Sequence, residues 1–190
     1  MGDTAYAGFS GGRLAALALA NGGVRWESTV ALPKGATELE RVTDVVGEPV
    51  VQGREVCAAA YQGRVACFES ANGRQIWARE LSSLTGVKVD ARYAFVSDDR
   101  GGVHALDRSN GRSVWKQDKL GYRQLSQAVG TGNVVAVGDF EGYVHFLARD
   151  SGAFVARYAS RGGAVRAAPV NLPSSLLFQT QDGTLVAVTM

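Results

Sequence analysis

The feature that most constrains the fold of this chain is a repeat marked by pairs of glycines. In each of four full copies, ten residues separate the two glycines, and the residue four further on is Trp in three copies and Ala156 in the other. The pairs are Gly12 and Gly22, Gly63 and Gly73, Gly101 and Gly111, and Gly142 and Gly152, and a fifth copy opens at Gly183. Successive opening glycines lie 51, 38, 41 and 41 residues apart. A period near 40 with strand-like contents is typical of a β-propeller in which each repeat is one blade.

The segments between the glycines read as short strands. They are nearly continuous in apolar residues, as in Val134–Gly138, which is typical of sheets that are covered on both faces. No segment has a sustained helical period, so the predicted class is all-β with four-stranded blades. The predicted blades span residues 3–31, 44–80, 86–118, 124–160 and 164–190. In the fourth blade the first strand is predicted at Leu125–Gly130.

This repeat count predicts an incomplete ring of about four to five blades. We therefore expect the chain to be a piece of a larger ring, with any export signal upstream of it. Opening a ring uncovers a blade face at each end, so we also expect self-association with a second copy or with the missing part.

The charge pattern limits the kinds of partner. The net charge is +2, from 20 basic and 18 acidic side chains scattered along the chain. A nucleic-acid surface needs concentrated basic residues, so this class of partner is not expected. No apolar run approaches the roughly 18 residues that a membrane span requires.

One inserted loop, residues 33–49, interrupts the repeat between the first two blades. Insertions in repeat proteins map to loops, often on the binding face. This loop mixes acidic residues and an arginine with apolar residues, and it is the predicted partner-binding segment. Its candidate contact residues are Glu38, Leu39, Arg41, Val42 and Asp44. A tolerated surface insertion is the alternative interpretation.

The segment Ala105–Trp115 resembles the repeat of the quinoprotein-type propellers. Three further segments are similar to the BamB family, the propeller lipoproteins of the machinery that assembles outer-membrane β-barrels: Thr37–Asp44, Val137–His145 and Gln181–Val188. The resemblance implies an eight-bladed, lipid-anchored, non-enzymatic scaffold at the periplasmic face of the outer membrane of a Gram-negative bacterium. The lipidated cysteine has no counterpart in this chain.

The resemblance also implies a partner and roles for residues. Docking would be on the periplasmic domains of the barrel insertase BamA, through Asp44 first and then Arg41 and Glu38. Leu39 and Val42 would be apolar anchors, and unfolded outer-membrane proteins are possible clients, for example by adding a strand to a blade edge. The repeat residues that tie the blades together would be Trp26, Trp77, Trp115, Gly63, Gly101 and Gly142.

The alternative function is a fragment of a quinone (PQQ)-dependent dehydrogenase, because those enzymes share the repeat. They resemble one another in having adjacent cysteines and a tryptophan that stacks on the cofactor. Here Cys57 and Cys67 are ten residues apart, and all three tryptophans occupy the repeat position. We therefore predict no catalytic residue, no cofactor and no metal site.

The remaining reactive side chains have structural interpretations. His104 and His145 occupy equivalent repeat positions and should point into different gaps between sheets, so we expect packing or surface hydrogen bonds and not a shared metal ion. Cys57 and Cys67 lie on the two arms of one hairpin, and its register decides whether they face each other. A disulfide is possible, but two small buried thiols are the favoured alternative. The acidic residues near the repeat glycines are predicted turn formers: Asp98, Asp99, Asp139, Glu141 and Asp182.

Overall fold

The computed structural model describes residues 2–34, 36–37 and 42–189, and within these ranges it contains strands and no helix. Eighteen strands in this part of the chain form five antiparallel sheets that follow one another in sequence order. The all-β prediction is confirmed. None of the described residues forms a helix that could cross a membrane.

Each sheet is an up-and-down meander, and the strand bounds are as follows. The first sheet contains β1 (Thr4–Phe9), β2 (Arg13–Ala18) and β3 (Val24–Thr29). The second contains β4 (Val45–Gln52), β5 (Glu55–Ala60), β6 (Arg64–Glu69) and β7 (Gln75–Glu80). The third contains β8 (Val87–Val89), β9 (Tyr93–Ser97), β10 (Val103–Asp107) and β11 (Ser113–Gln117). The fourth contains β12 (Val129–Thr131), β13 (Val134–Gly138), β14 (Tyr143–Ala148) and β15 (Phe154–Ala159). The fifth contains β16 (Val170–Asn171), β17 (Ser175–Gln179) and β18 (Leu185–Thr189).

The strand predicted at Leu125–Gly130 is wrong at its beginning, because β12 starts only at Val129. Ser126 explains the difference. Its backbone N–H donates to the Gly138 carbonyl at 2.9 Å, but the Gly138 N–H donates to the Ser126 hydroxyl at 2.9 Å instead of to a backbone carbonyl. A side chain thus replaces one bond of the ladder, and regular pairing begins further along the chain.

The core lies between neighbouring sheets. In the first gap, Leu14 and Val30 pack against Val56 and Phe68 of the second sheet, and all four side chains are fully buried. Each of the next three gaps contains its own cluster of buried apolar residues drawn from both of its sheets. Stacking therefore buries both faces of the inner sheets, in agreement with their nearly continuous apolar sequence.

The tryptophan of each repeat joins its sheet to the next one. Trp26 Nε1 donates to the Ser70 carbonyl at 3.1 Å, Trp77 Nε1 to the Arg108 carbonyl at 2.6 Å, and Trp115 Nε1 to the Arg149 carbonyl at 2.8 Å. The acceptors lie in the β6–β7, β10–β11 and β14–β15 turns, each in the sheet after that of its tryptophan. A bond made at the same repeat position in three successive gaps fixes the spacing of the blades.

The second glycine of a repeat, which lies in the turn between the third and fourth strands, provides the space for the tryptophan of the preceding repeat. Gly111 has a φ of +70°, and a Cβ there would lie 2.5 Å from Cε3 of Trp77. Gly152 is arranged in the same way over Trp115, and Gly73 over Trp26. Only glycine provides both the backbone conformation and the room for the indole.

Candidate functional site

The connections between sheets emerge on one face of the molecule, which we call the connection face. Among the described residues it is formed by 30–34, 36–37, 42–44, 81–86, 118–128 and 160–169. The central turn of a sheet meets these connections through backbone bonds: Tyr61 N–H donates to the Asp44 carbonyl at 2.9 Å, and Phe140 N–H donates to the Arg123 carbonyl at 3.0 Å. Turns and connections thus form one continuous surface.

The connection that carries the insertion is firmly anchored where it leaves the first sheet. Val30 and Ala31 are buried, and their backbone N–H groups donate to the Gly12 carbonyl at 2.8 and 3.3 Å. Arg64 of β6 donates from Nε to the Val30 carbonyl at 3.1 Å. The start of the connection is therefore fixed to the first two sheets.

Asp44 anchors the other end of this connection, because residues 45–49 of the predicted loop belong to β4. It forms a bridge with Ser10, and its Oδ1 accepts a hydrogen bond from the Gly11 backbone N–H at 3.3 Å. The preceding Thr43 is buried, and its hydroxyl has no hydrogen-bond partner among the described residues. Val42 is 41% exposed. The connection thus ends with an exposed apolar side chain followed, two residues later, by a half-buried carboxylate.

The structure brings Val42 and Asp44 to the connection face. The other predicted contact residues, Glu38, Leu39 and Arg41, lie outside the described residues. The grouping of these five side chains into one docking site therefore stays a prediction.

The opening glycines of the repeats lie where the connections pass close to the sheets. At Gly142, which has a φ of +85°, a Cβ would lie 2.5 Å from the Gly163 carbonyl oxygen. At Gly63 it would lie 2.5 Å from the Ala31 side chain, and at Gly101, with a φ of +90°, it would meet the Leu120 carbonyl. These glycines let the connections lie flat against the turns.

Cys57 and Cys67 form a disulfide in this structure. The β5–β6 register places them directly opposite each other, with Cα atoms 4.0 Å apart. The preference for two buried thiols was therefore wrong. Both cysteines are five residues from Gln62 in the turn, and this symmetry was the signal that could have fixed the register.

Two aspartate–histidine pairs were missed by the sequence analysis. His104 Nε2 is 2.7 Å from Asp98 Oδ2, and His145 Nε2 is 2.8 Å from Asp139 Oδ2. Both pairs belong to the same heptapeptide pattern, Asp-x-x-Gly-x-Val-His, which could have revealed them. Each histidine thus forms a hydrogen bond to a separate aspartate, but the one made by His145 is buried and not at the surface.

The aspartates of these pairs also form their turns, as predicted. Asp139 Oδ1 accepts backbone hydrogen bonds from Glu141 at 3.0 Å and Tyr143 at 2.9 Å. Asp98 Oδ1 accepts from Arg100 at 2.9 Å and Gly102 at 2.7 Å. In both turns the aspartate Oδ1 accepts hydrogen bonds from backbone N–H groups, and Oδ2 is hydrogen-bonded to the histidine.

Asp139 is the centre of a buried polar cluster. Its Oδ2 also accepts from Arg123 Nε at 2.6 Å, and Arg123 reaches Glu141 as well. Burial by itself would raise the pKa of Asp139, but the hydrogen bonds from His145, Arg123 and Tyr143 outweigh it and hold the pKa below its ordinary value. Burial also lowers the pKa of His145, and Asp139 opposes this only in part. The cluster therefore contains an ionised carboxylate, a guanidinium and a neutral imidazole at neutral pH.

A metal centre finds no support in the described part of the chain. Nowhere in it do three or more His, Cys, Asp or Glu side chains group so that they could hold an ion. His104 and His145, the two histidines of the chain, are each paired with a separate aspartate.

Stacked antiparallel meanders that are joined through repeat tryptophans define this chain as part of a β-propeller of the quinoprotein-like repeat class. A family model described as outer membrane protein assembly factor BamB matches residues 1–117. The protein of that name from Bordetella pertussis is 49% identical over 182 residues, which cover 95% of this chain and 47% of the relative. That from Pseudomonas aeruginosa is 40% identical over 190 residues, or 100% of this chain and 50% of the relative.

The solved structures agree with these relatives. The crystal structure of BamB from Moraxella catarrhalis matches with a TM-score of 0.91 at 31% identity, covering 98% of this chain and 56% of that one. This chain belongs to the BamB family, and the propeller prediction is confirmed. The chain spans about half the length of the curated relatives it matches. A quinohemoprotein alcohol dehydrogenase from Comamonas testosteroni also matches, with a TM-score of 0.67 at 13% identity, covering 98% of this chain and 41% of that one, which reflects the fold alone.

Proposed function

We propose that this chain is part of a non-enzymatic scaffold for outer-membrane β-barrel assembly, located at the periplasmic face of the outer membrane. Connection 30–44 docks on the periplasmic domains of the barrel insertase BamA. The observation that carries the proposal is the form of this connection. It is longer than the connections at 81–86, 118–128 and 160–169, and both of its ends are bonded to rigid sheets.

Rigid ends favour docking because little conformational entropy is lost when the loop meets its partner. Val42 offers apolar area, and Asp44 offers a carboxylate that a cationic side chain of the partner would pair with. Desolvated charges and apolar anchors dominate the affinity of protein interfaces, whereas charges at the rim mainly tune association rates. Asp44 is half-buried before docking, so pairing there would desolvate it further.

The test is a binding titration between the full chain and the periplasmic domains of BamA. We expect Asp44→Arg to weaken binding about tenfold or more, because it reverses a charge within the interface. Asp44→Asn keeps an oxygen acceptor for the Gly11 N–H and separates loss of charge from loss of the anchor. We expect it to weaken binding by a smaller factor.

Asp99→Arg is the matched control, since Asp99 is an exposed acidic residue in the β9–β10 turn on the same face. It should bind as the unmodified chain does, and all three variants should keep the circular dichroism spectrum and the thermal midpoint. Unchanged binding by a folded Asp44→Arg variant would remove this connection from the docking site.

The competing candidate is a fragment of a quinone-dependent dehydrogenase, which the shared repeat and fold favour. A dehydrogenase of this kind needs a tryptophan that stacks on the cofactor. Against this candidate, Trp26, Trp77 and Trp115 each bond to the neighbouring sheet, so each is already used to join blades. Adding PQQ and Ca²⁺ with an alcohol and a redox dye distinguishes the two. We expect no dye reduction above the protein-free rate, and a rate that rises with protein concentration would refute the scaffold.

A further inference from the structure

A basic cleft lies beside the outer edge of the fourth sheet, away from connection 30–44. It has a volume of about 410 Å³. Lys119, Arg123 and Arg157 line it together with Leu120 and Phe154, and no acidic residue is among its lining residues. His145 lies in the wall with 3% of its surface exposed. The cleft therefore combines positive charge with apolar walls.

Two of the three cations lack a carboxylate partner. Arg123 is neutralised by Asp139 and Glu141. Within the described ranges, neither Lys119 Nζ nor the Arg157 guanidinium lies within ion-pair distance of a carboxylate. Arg157 instead lies over the Tyr143 ring, 4.4 Å from its centroid. Stacking holds the plane of the guanidinium while its N–H groups stay available to a ligand.

The cleft depends on a local feature of the chain. The β11–β12 connection, residues 118–128, is longer than the 81–86 connection that precedes it, and it supplies Lys119, Leu120 and Arg123. The strand β15 supplies Phe154 and Arg157, with Arg157 paired across from His145. In the third sheet Lys116 pairs across from His104 in the same way, which makes it the matched position for a control.

We propose that this cleft binds an organic carboxylate that carries an apolar group of about the size of one aromatic side chain. Arg157 and Lys119 pair with the carboxylate, and Leu120 and Phe154 contact the apolar group. A planar guanidinium matches the two oxygens of a carboxylate, and charged hydrogen bonds to an oxyanion are the strongest that side chains make. The cleft is large enough for a group of this size, since small-molecule sites begin at about 300 Å³.

The test uses 3-phenylpropionate as the probe, titrated into the full chain and followed by calorimetry and by the NMR signals of Arg157 and Phe154. Its neutral amide, acetate and inorganic phosphate are titrated in parallel. We expect 3-phenylpropionate to bind at least about tenfold more tightly than any of the other three, because only it offers both charge and apolar area. Equal binding of phosphate would overturn the assignment to a carboxylate with an apolar group, and equal binding of the amide would overturn the role of charge.

Variants locate the site. Arg157→Gln should weaken 3-phenylpropionate about tenfold or more, whereas Lys116→Gln, the matched change in the third sheet, should leave its affinity unchanged. Phe154→Ser should reduce the affinity to that of acetate. Full affinity in a folded Arg157→Gln variant, or an equal loss in Lys116→Gln, would place any binding elsewhere and refute the proposal. This result is independent of binding to BamA, because the cleft shares no residue with connection 30–44.

Discussion

The His145 side chain is held neutral between an ionised carboxylate and two arginines. Asp139 accepts its Nε2–H, and the charges of Arg123 and Arg157 both act to lower its pKa. Burial is the largest cause of the lowered pKa. The imidazole therefore serves as a hydrogen-bond donor inside the fourth sheet and carries no charge at neutral pH.

This arrangement predicts that the chain loses stability as the pH falls below about neutral. In the unfolded chain His145 takes up a proton near its ordinary pKa of 6.5, while in the folded chain its pKa is lower. Between these two pKa values the unfolded state binds more protons, so acidification favours unfolding, by at most about 1.4 kcal/mol per pH unit for one proton. Asp139, whose pKa is also lowered, adds a further loss below its ordinary value of 3.8.

Urea unfolding between pH 7.5 and pH 5 measures this effect. His145→Gln keeps an N–H donor for Asp139 but cannot titrate. We expect the free energy of unfolding of this variant to fall less steeply over that interval than that of the unmodified chain. Parallel slopes would mean that His145 does not contribute to the pH dependence.

At the scale of the elements, the contact between Trp and Gly determines how blades are joined. Each indole bonds to a carbonyl of the next sheet and packs against the glycine of the same turn. Ion pairs reinforce the junctions, with Arg149 Nη2 2.7 Å from Asp90 Oδ2 and Arg108 Nε 3.2 Å from Glu55 Oε2. Arg108 and Arg149 are also the residues whose carbonyls accept the tryptophan bonds. One turn thus makes both contacts.

The glycine contact can be tested by a matched pair of substitutions. Gly111 and Gly132 both have positive φ, +70° and +52°, but a Cβ meets Trp77 at the first and nothing within 4 Å at the second. Gly132→Ala should cost about 1–2 kcal/mol of unfolding free energy from backbone strain alone. Gly111→Ala should cost at least about 1 kcal/mol more, because the indole must also move.

Chemical denaturation with urea gives both values. The loss of the Trp77 junction should also shift the tryptophan fluorescence in Gly111→Ala but not in Gly132→Ala. Equal destabilisation of the two variants would show that the indole contact adds nothing to the joining of the blades.

At the scale of the whole molecule, and among the described residues, the inner three sheets are covered on both faces, whereas the first and fifth sheets have a neighbouring sheet on one face only. Exposed apolar side chains remain on these two sheets, including Val24 at 60%, Val170 at 52% and Leu185 at 63%. Apolar surface of this kind is removed from water by association.

Self-association of this 190-residue chain therefore stays a prediction, and the sheets indicate where it should occur. We expect sedimentation velocity at rising concentration to show dimers or larger species. Replacing Val24 and Leu185 with Ser should shift the distribution towards monomer, while replacing the exposed Val114 of the inner third sheet with Ser should not. A monomer at all concentrations would contradict the prediction.

The repeat spacing predicted the class of fold because each glycine and tryptophan has a local reason for its position. Turns need positive φ at Gly111 and Gly152, and strands covered on both faces need continuous apolar residues. The insertion was recognisable as a departure from this rhythm. The sequence did not predict where β12 begins, because this depends on a hydrogen bond from the Gly138 N–H of the adjacent strand to the Ser126 hydroxyl.

The amino-acid sequence by itself thus determined the sheets, their order and the connection that departs from the repeat, since these depend on backbone conformation and burial that each segment carries within it. Only the tertiary structure decided which side chains meet. The pairing of the two cysteines depends on strand register. Asp139 contacts Arg123 and His145, which lie on separate elements. The basic cleft exists only where the β11–β12 connection lies against β15. Such contacts depend on distances between segments, which a repeat along the chain does not specify.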